Sequence, residues 1–193
     1  MTTRITDRLR VSLLGLTALL LAACADKGPP PPPEPLELSQ PIAVDTPGQQ
    51  VQFEFETTPR NFASNRTYAV ELELQRRGPT ATGTPDVASI NIPFEVLLQR
   101  RDGTPWQEIA TQDSYQARAR NGVEPLPAWH RSENWRYASL ASGSDGSYLL
   151  RVAALPLEPD SRYRLQIRTV QAIPGLHDYS ARLLVHASRP AGK

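Results

Sequence analysis

Apolar and polar residues alternate one by one in several segments of this chain, and this period of two restricts its fold most. Val51, Phe53 and Phe55 alternate with polar residues, and the segments 68–74 and 90–98 repeat the pattern. Successive side chains of a β-strand point to opposite faces, so these segments predict strands with one buried and one wet face. On this pattern Glu71 and Glu73 fall on the wet face. The sequence contains no comparably convincing amphipathic helix.

Shorter segments and turn signals extend the same pattern over the rest of the chain. Asp102-Gly103 predicts a hairpin turn, and Pro93 predicts an edge strand or a bulge. Further strands are expected at 38–44, 106–112, 136–140, 148–155, 162–171 and 179–187. Seven or eight short antiparallel strands with turns between them predict an all-β fold, an antiparallel β-sandwich.

The segment Leu157 to Ile167 sharpens this prediction. It holds a proline turn at Pro159 followed by Tyr163, and it resembles the tyrosine corner of immunoglobulin-like and fibronectin type III sandwiches. In that motif a tyrosine hydroxyl bonds back to the backbone of the turn. The alternative is an ordinary strand that contains a tyrosine, and in both interpretations Tyr163 is structural.

The region 113–146 shows the least regular pattern. Within it, Trp129, His130, Arg131 and Trp135 bring aromatic, cationic and polar side chains together. Such mixtures occur at binding hot spots, which makes these four residues candidates for contact with a partner. The alternative is that the tryptophans cap the hydrophobic core.

Residues 1–23 have the composition of an export signal. Arg4, Arg8 and Arg10 precede the apolar segment 11–21, which is too short to cross a bilayer of ~30 Å. Leu21-Ala22-Ala23-Cys24 then resembles the bacterial lipobox, in which cleavage after Ala23 leaves the Cys24 thiol to carry diacylglycerol. The alternative is an ordinary secretory leader that happens to contain a cysteine.

Residues 24–37 are expected to be a linker between the lipid and a domain at 38–188, which a tail at 189–193 follows. Five consecutive prolines at 29–33 favour an extended polyproline II spacer; a ligand for a proline-reading domain is the alternative. Acyl chains such as palmitate on Cys24 would anchor the protein stably. Ala25, in place of an aspartate, favours the periplasmic face of the outer membrane over the inner membrane.

The sequence contains few residues in patterns typical of catalysis or of metal binding. The single cysteine excludes an intrachain disulfide, and the three histidines, His130, His177 and His186, lack the spacing of a metal site. His186 is expected to face solvent. A net charge of +1 gives no reason to expect nucleic acid as a partner. No cofactor or nucleotide motif is present, so we expect a protein that is not an enzyme, although a glycosidase-type carboxylate pair stays open.

From Pro41 to His186 the chain resembles a family of bacterial periplasmic lipoprotein β-sandwich domains of uncharacterised function. Three stretches carry the resemblance: the strands 51–57 and 68–74, the segment 92–103, and the C-terminal run from 155 through Ile173-Pro-Gly-Leu176 to the last strand. Asp160-Ser161 departs from the pattern, where the family usually has a glycine.

Some members of that family resemble immunity proteins that protect bacteria from type VI secretion effectors. The resemblance therefore implies a lipid-anchored binding module without catalytic residues, whose partner is a secreted toxin. The alternative is a structural or assembly lipoprotein that binds an envelope protein complex or a polysaccharide.

Overall fold

The computed structural model describes residues 35–78, 86–103 and 105–188, which all lie within one compact unit of the chain. The expected signal segment 1–23, Cys24 with its expected lipid, the run of prolines and the tail 189–193 lie outside the described residues. Strand β1 begins at Glu37, and Leu36 is already buried in the core. Among the described residues, the core thus already includes Leu36, two residues before the expected boundary at 38.

The described residues form nine strands, one short α-helix and two 3₁₀ turns. The strands are β1 (Glu37–Pro41), β2 (Gln50–Glu56), β3 (Thr67–Arg76), β4 (Ile92–Arg101), β5 (Gln107–Ile109), β6 (Trp135–Ser144), β7 (Ser147–Leu155), β8 (Arg162–Thr169) and β9 (Tyr179–Ser188). Helix α1 spans Ser114–Arg120, and the 3₁₀ turns are η1 (Val87–Ser89) and η2 (Pro174–Leu176). The predicted all-β class and its antiparallel pairing are confirmed.

The strands hydrogen-bond in the order β1-β9-β3-β7-β6-β4-β8-β2, and β5 pairs with β4. Strand β6 joins the two halves of this sheet, because residues 135–138 pair with β4 and residues 139–144 pair with β7. At the other end, the Gln40 amide of β1 donates to the Gln52 carbonyl oxygen of β2 at 2.8 Å. The two edge strands thus approach each other, and the sheet is nearly closed around its core.

The core is built from the inward residues of the alternating strands. In β2 the buried residues are Val51, Phe53 and Phe55, which lie opposite Ile167, Leu165 and Tyr163 of β8. Burial of such side chains stabilises the fold by about 1.5–3 kcal/mol each. The core therefore holds the sheet as a rigid frame for its outer face.

The turn before β8 contains the predicted tyrosine contact. The Glu158 backbone N–H donates to the hydroxyl oxygen of Tyr163 at 2.7 Å, and Tyr163 is fully buried. Asp160 in the same turn has φ of 51°, a left-handed conformation that glycine adopts at least cost. This explains why the resemblance leads one to expect a glycine there.

Two expectations about individual segments are wrong. Pro93 does not mark an edge, because β4 lies between β6 and β8. It is tolerated as the second residue of the strand, before pairing with β8 begins at Phe94. The region 113–146 is also more regular than expected, since it contains α1, whose first turn Asp113 caps, and the whole of β6.

Candidate functional site

A cleft of about 1240 Å³ lies over the outer face of the sheet, next to helix α1. Its floor comes from the central strands β3, β7 and β9, and its sides come from α1, η1 and the C-terminal half of β6. The lining residues are Glu71, Ala88, Ser114, Tyr115, Ala117, Arg118, Ser139–Ser142, Leu149, Arg151, His186 and Ala187. Apolar and charged side chains thus share one concave surface, which is the usual character of a binding site.

A buried carboxylate organises the floor of the cleft. Glu71 is only 2% exposed, and its two oxygens accept from three side chains. His186 Nε2 lies 2.9 Å from Oε2, the Ser188 hydroxyl donates to Oε1 at 2.9 Å, and Arg151 Nε donates to Oε1 at 3.3 Å. Arg151 also donates to the Ser188 hydroxyl. Hydrogen bonds from these neighbours therefore stabilise the negative charge of Glu71, which burial would otherwise destabilise.

This cluster shifts the ionisation of both partners of the central pair. Burial raises the pKa of Glu71, but hydrogen bonds from His186 and Ser188 and the charges of His186 and Arg151 outweigh it, so this pKa lies below its ordinary value. The hydrogen bond to Glu71 raises the pKa of His186 most, against an opposing effect of burial. Both shifts favour the charged pair.

The cluster forms because strand pairing brings together residues that are far apart in the sequence. Glu71 lies opposite Arg151 of β7 and opposite Leu184 of β9, while Ala69 lies opposite His186. The alternation correctly placed Glu71 on the outer face, but its expected contact with water is wrong, because its neighbours cover it. His186 is likewise half-buried rather than facing solvent. No pattern in the sequence identifies these partners, because no single segment determines the register in which the strands pair.

Helix α1 is held over the sheet by a second buried carboxylate, Asp113. Its Oδ1 accepts from the Gln116 N–H at 2.7 Å and so caps the helix. Its Oδ2 accepts from the Tyr137 N–H at 2.8 Å and lies 2.9 Å from His130 Nε2. One side chain thereby joins α1 to β6 and fixes that wall of the cleft.

The four residues predicted to contact a partner lie beside this carboxylate rather than in the cleft. The rings of Trp129, His130 and Trp135 surround Tyr137 with centroid distances of 5.1, 4.6 and 6.4 Å. The side chain of His130 is completely buried, and Arg131 is exposed. These rings form a separate aromatic group, because neither tryptophan nor Tyr137 belongs to the main core cluster or packs against it. Arg131 is the exposed member of the predicted group.

The part of the chain that the structure describes contains neither a metal cluster nor a membrane-spanning helix. There, no three His, Cys, Asp or Glu side chains come close enough together to hold a metal ion. In the same residues, no helix has both the length and the apolar character needed to cross a bilayer.

Comparisons with known proteins add one distant likeness. No protein-family profile matches this chain, and no curated protein matches it. A crystal structure of a protein from Sulfurospirillum deleyianum is similar, with 12% sequence identity and a TM-score of 0.48. The likeness covers 81% of this chain and 99% of that one. At this identity and TM-score it carries no information about function.

Proposed function

We propose that this chain is a lipid-anchored periplasmic module that binds a protein partner and catalyses no reaction. The observation that carries the proposal is the cleft beside α1, in which exposed apolar and cationic groups surround a carboxylate that is already satisfied. Glu71 accepts from three donors, and its lowered pKa keeps it ionised near neutral pH. An ionised carboxylate has no proton to donate, and three of the roughly four acceptor sites of this one are already used by its neighbours.

The surface around the cleft suits association with a protein. Leu140 lines the cleft and is 42% exposed, and Val123 and Leu126 are exposed in the loop that follows α1. A specific complex buries about 800 Å² on each partner, usually with an apolar centre and a polar rim. The rigid sheet beneath this surface keeps the entropic cost of binding low.

The anchor in this proposal rests on the sequence. Leu21-Ala22-Ala23-Cys24 supplies the site of lipid attachment, and the prolines at 29–33 supply a spacer. With Ala25 after the cysteine, the module would stand on the periplasmic face of the outer membrane. In that position it would meet a toxin that enters the periplasm, so an immunity role is the form of the proposal that we favour.

We also propose that the nine strands form a two-layered sandwich of the immunoglobulin or fibronectin type III kind. The change of partner along β6 supports it, because a strand that pairs with β4 and then with β7 can pass from one layer to the other. The bond between Tyr163 and the Glu158 backbone also supports it.

The experiment that tests the function uses the full chain, exported to the periplasm together with the product of a neighbouring gene. Rescue from killing, with a stoichiometric complex, supports immunity. A complex without toxicity supports the alternative role in envelope assembly instead. If no neighbouring product is toxic and none forms a complex, both forms of the proposal are wrong.

A matched pair of variants tests whether the partner binds at the cleft. Arg118 lines the cleft, and Arg162 lies on the opposite half of the sheet; their side chains are 46% and 55% exposed, and each has an exposed acidic neighbour. We expect Arg118→Glu to abolish the complex and Arg162→Glu to leave it intact. Equal effects of the two variants would show that the cleft is not part of the interface.

A further inference from the structure

The C-terminal half of β6 has one unpaired edge among the described residues. Residues 139–144 pair with β7 on one side. On the other side β4 pairs only with residues 135–138, and the last pair is Ile92 with Ala138. The backbone groups on this side of residues 139–144 therefore have no ladder partner within the described residues. The same segment contributes residues 139–142 to the cleft.

This edge differs in sequence from the edges at the two ends of the sheet. Strand β1 carries Glu37 and Pro41, and β2 carries Glu54 and Glu56; charges and proline are the usual protection against an added strand. Residues 139–144 read Ser-Leu-Ala-Ser-Gly-Ser and contain no charge. A register shift between Leu140 and Ser142 limits the pairing of an added strand to a short stretch.

Leu140 is the apolar group that an added strand would cover. It lies opposite Leu150, which is buried in the core, so it stands on the core side of the strand and reaches the cleft only at the rim formed by the edge of β6. Its exposure of 42% arises because no further strand lies beyond it. Of the large exposed apolar side chains in the described residues, it alone lies in a strand.

The charges that an incoming segment can reach in the cleft are positive. The side chains of Arg118, Arg151 and His186 are 46%, 24% and 27% exposed, whereas that of Glu71 is 3% exposed. Glu124 pairs with Arg118 at 3.1 Å on the open surface, where an ion pair contributes little to stability. A carboxylate from a partner can therefore compete with Glu124 for Arg118.

We propose that the partner of this module adds one extended, acidic segment to the edge of β6 at residues 139–144. Its backbone hydrogen-bonds to the edge, an apolar side chain covers Leu140, and an Asp or Glu side chain enters the cleft towards Arg118. In strand addition the main-chain bonds supply affinity and the side-chain contacts supply specificity. This inference rests on the proposed function, since it assigns a class of ligand to the same cleft.

A display library of random twelve-residue peptides, selected against the full chain, tests the inference. We expect the selected peptides to contain acidic residues in β-forming sequences. Their affinity is then measured by fluorescence polarisation for Ser142→Glu, which repels an acidic segment, and for Ser39→Glu, which places the same change at an exposed serine of β1. We expect the first variant to weaken binding by at least about tenfold and the second to change it less than about twofold.

Amide hydrogen exchange supplies a readout that does not depend on a variant. The exchange of amides within residues 139–144 is expected to slow when the selected peptide binds. Unchanged exchange there, basic or neutral selected peptides, or the absence of any selected peptide would overturn the inference. So would a concentration-dependent dimer that Ser142→Glu abolishes, because it would assign the edge to a second copy of the chain.

The result also separates this inference from the proposed function. If Arg118→Glu disrupts the complex with the natural partner and Ser142→Glu does not, the cleft remains the docking surface and strand addition is wrong. If no natural partner is found and the selected peptides still bind the β6 edge, the inference stands and the immunity proposal fails.

Discussion

At the scale of single residues, a few polar groups in costly positions hold the site together. Glu71 and Asp113 are both almost completely buried, and each accepts from three different groups. A buried carboxylate without such partners would destabilise the fold by several kcal/mol. The two carboxylates therefore join β3 to β7 and β9, and α1 to β6.

The Glu71–His186 pair makes the stability depend on pH. Because the pKa of His186 is raised in the folded state, its contribution is complete below the ordinary value of 6.5 and is lost as pH rises through the raised pKa. Because the pKa of Glu71 is lowered, its contribution is present above the ordinary value of 4.5 and is lost as pH falls through the lowered pKa. The pair therefore contributes most between these two ordinary values.

Urea unfolding of the wild type and His186→Gln at about pH 6 and about pH 8.5 checks this prediction. The difference in the free energy of unfolding should be larger at the lower pH. His177→Gln is the control, because His177 and its neighbour Asp178 are exposed and such pairs contribute little. Glu37 raises the pKa of His186 and Arg151 lowers it, and both residues are unchanged in the variant. A stability difference between wild type and His186→Gln that is the same at both pH values would contradict the prediction.

The left-handed turn residue Asp160 gives a second prediction at this scale. It is exposed and has φ of 51°, so a substitution there acts through the backbone. We expect Asp160→Val to destabilise the protein by about 1–2 kcal/mol, since a β-branched residue fits this conformation poorly. Asp160→Gly should be neutral or slightly stabilising in the same chemical denaturation measurement. Equal stabilities of the two variants would contradict this account.

At the scale of elements, strand pairing decides which predicted strands are long and which are short. The segment predicted as a strand at 106–112 contains only β5, three residues long. In contrast, β6 extends to Ser144, well beyond the predicted end at 140. Its second half has the weak strand sequence Ser-Leu-Ala-Ser-Gly-Ser and is supported by its pairing with β7. Tertiary context overrides intrinsic propensity in such segments.

The hairpin between β6 and β7 yields a prediction that belongs to this scale. Gly143 has φ of 126°, and a Cβ there would lie 2.6 Å from Tyr148 Cα and closer still to the Ser147 carbonyl oxygen. Both are backbone atoms, so they cannot move without distortion of the hairpin. We expect Gly143→Ala to destabilise the protein by roughly 2–4 kcal/mol.

Gly103 in the β4–β5 turn is the matched control. Its φ of 121° is similar, but a Cβ there would meet nothing within 4 Å. Gly103→Ala should therefore show only the smaller cost of the backbone conformation, about 1 kcal/mol. Thermal unfolding of the two variants separates steric contact from conformational strain, and equal losses would show that the close approach at Gly143 costs nothing.

At the scale of the whole molecule, the proposed role combines a binding cleft with a tether. We expect Cys24→Ala to abolish lipid attachment and to move the protein from the membrane fraction to the soluble fraction. Metabolic labelling with a palmitate analogue and fractionation measure both effects. Processing of the variant that is still sensitive to globomycin, the inhibitor of the lipoprotein signal peptidase, would refute the lipobox assignment.

Several features of this protein follow from the sequence alone, for local reasons. Alternation of side chains depends on neighbours two residues apart, and it correctly placed the inward residues Val51, Phe53 and Phe55. Two further features are also local. The turn at Asp102-Gly103 connects neighbouring strands, and Tyr163 contacts the backbone of Glu158 five residues before it. The expected lipobox is contiguous as well, and it stays a prediction that rests on residues 21–24.

The candidate site was decided by the tertiary structure. Glu71 lies 80 residues from Arg151 and 115 from His186, and only the register of β3 with its two neighbours brings the three together. Pro93 looked like an edge residue because the sequence does not say where the pairing of β4 with β8 begins. The open edge of β6 has the same origin: alternation indicates that a strand exists, whereas the pairing of the whole sheet decides which of its sides is left without a partner.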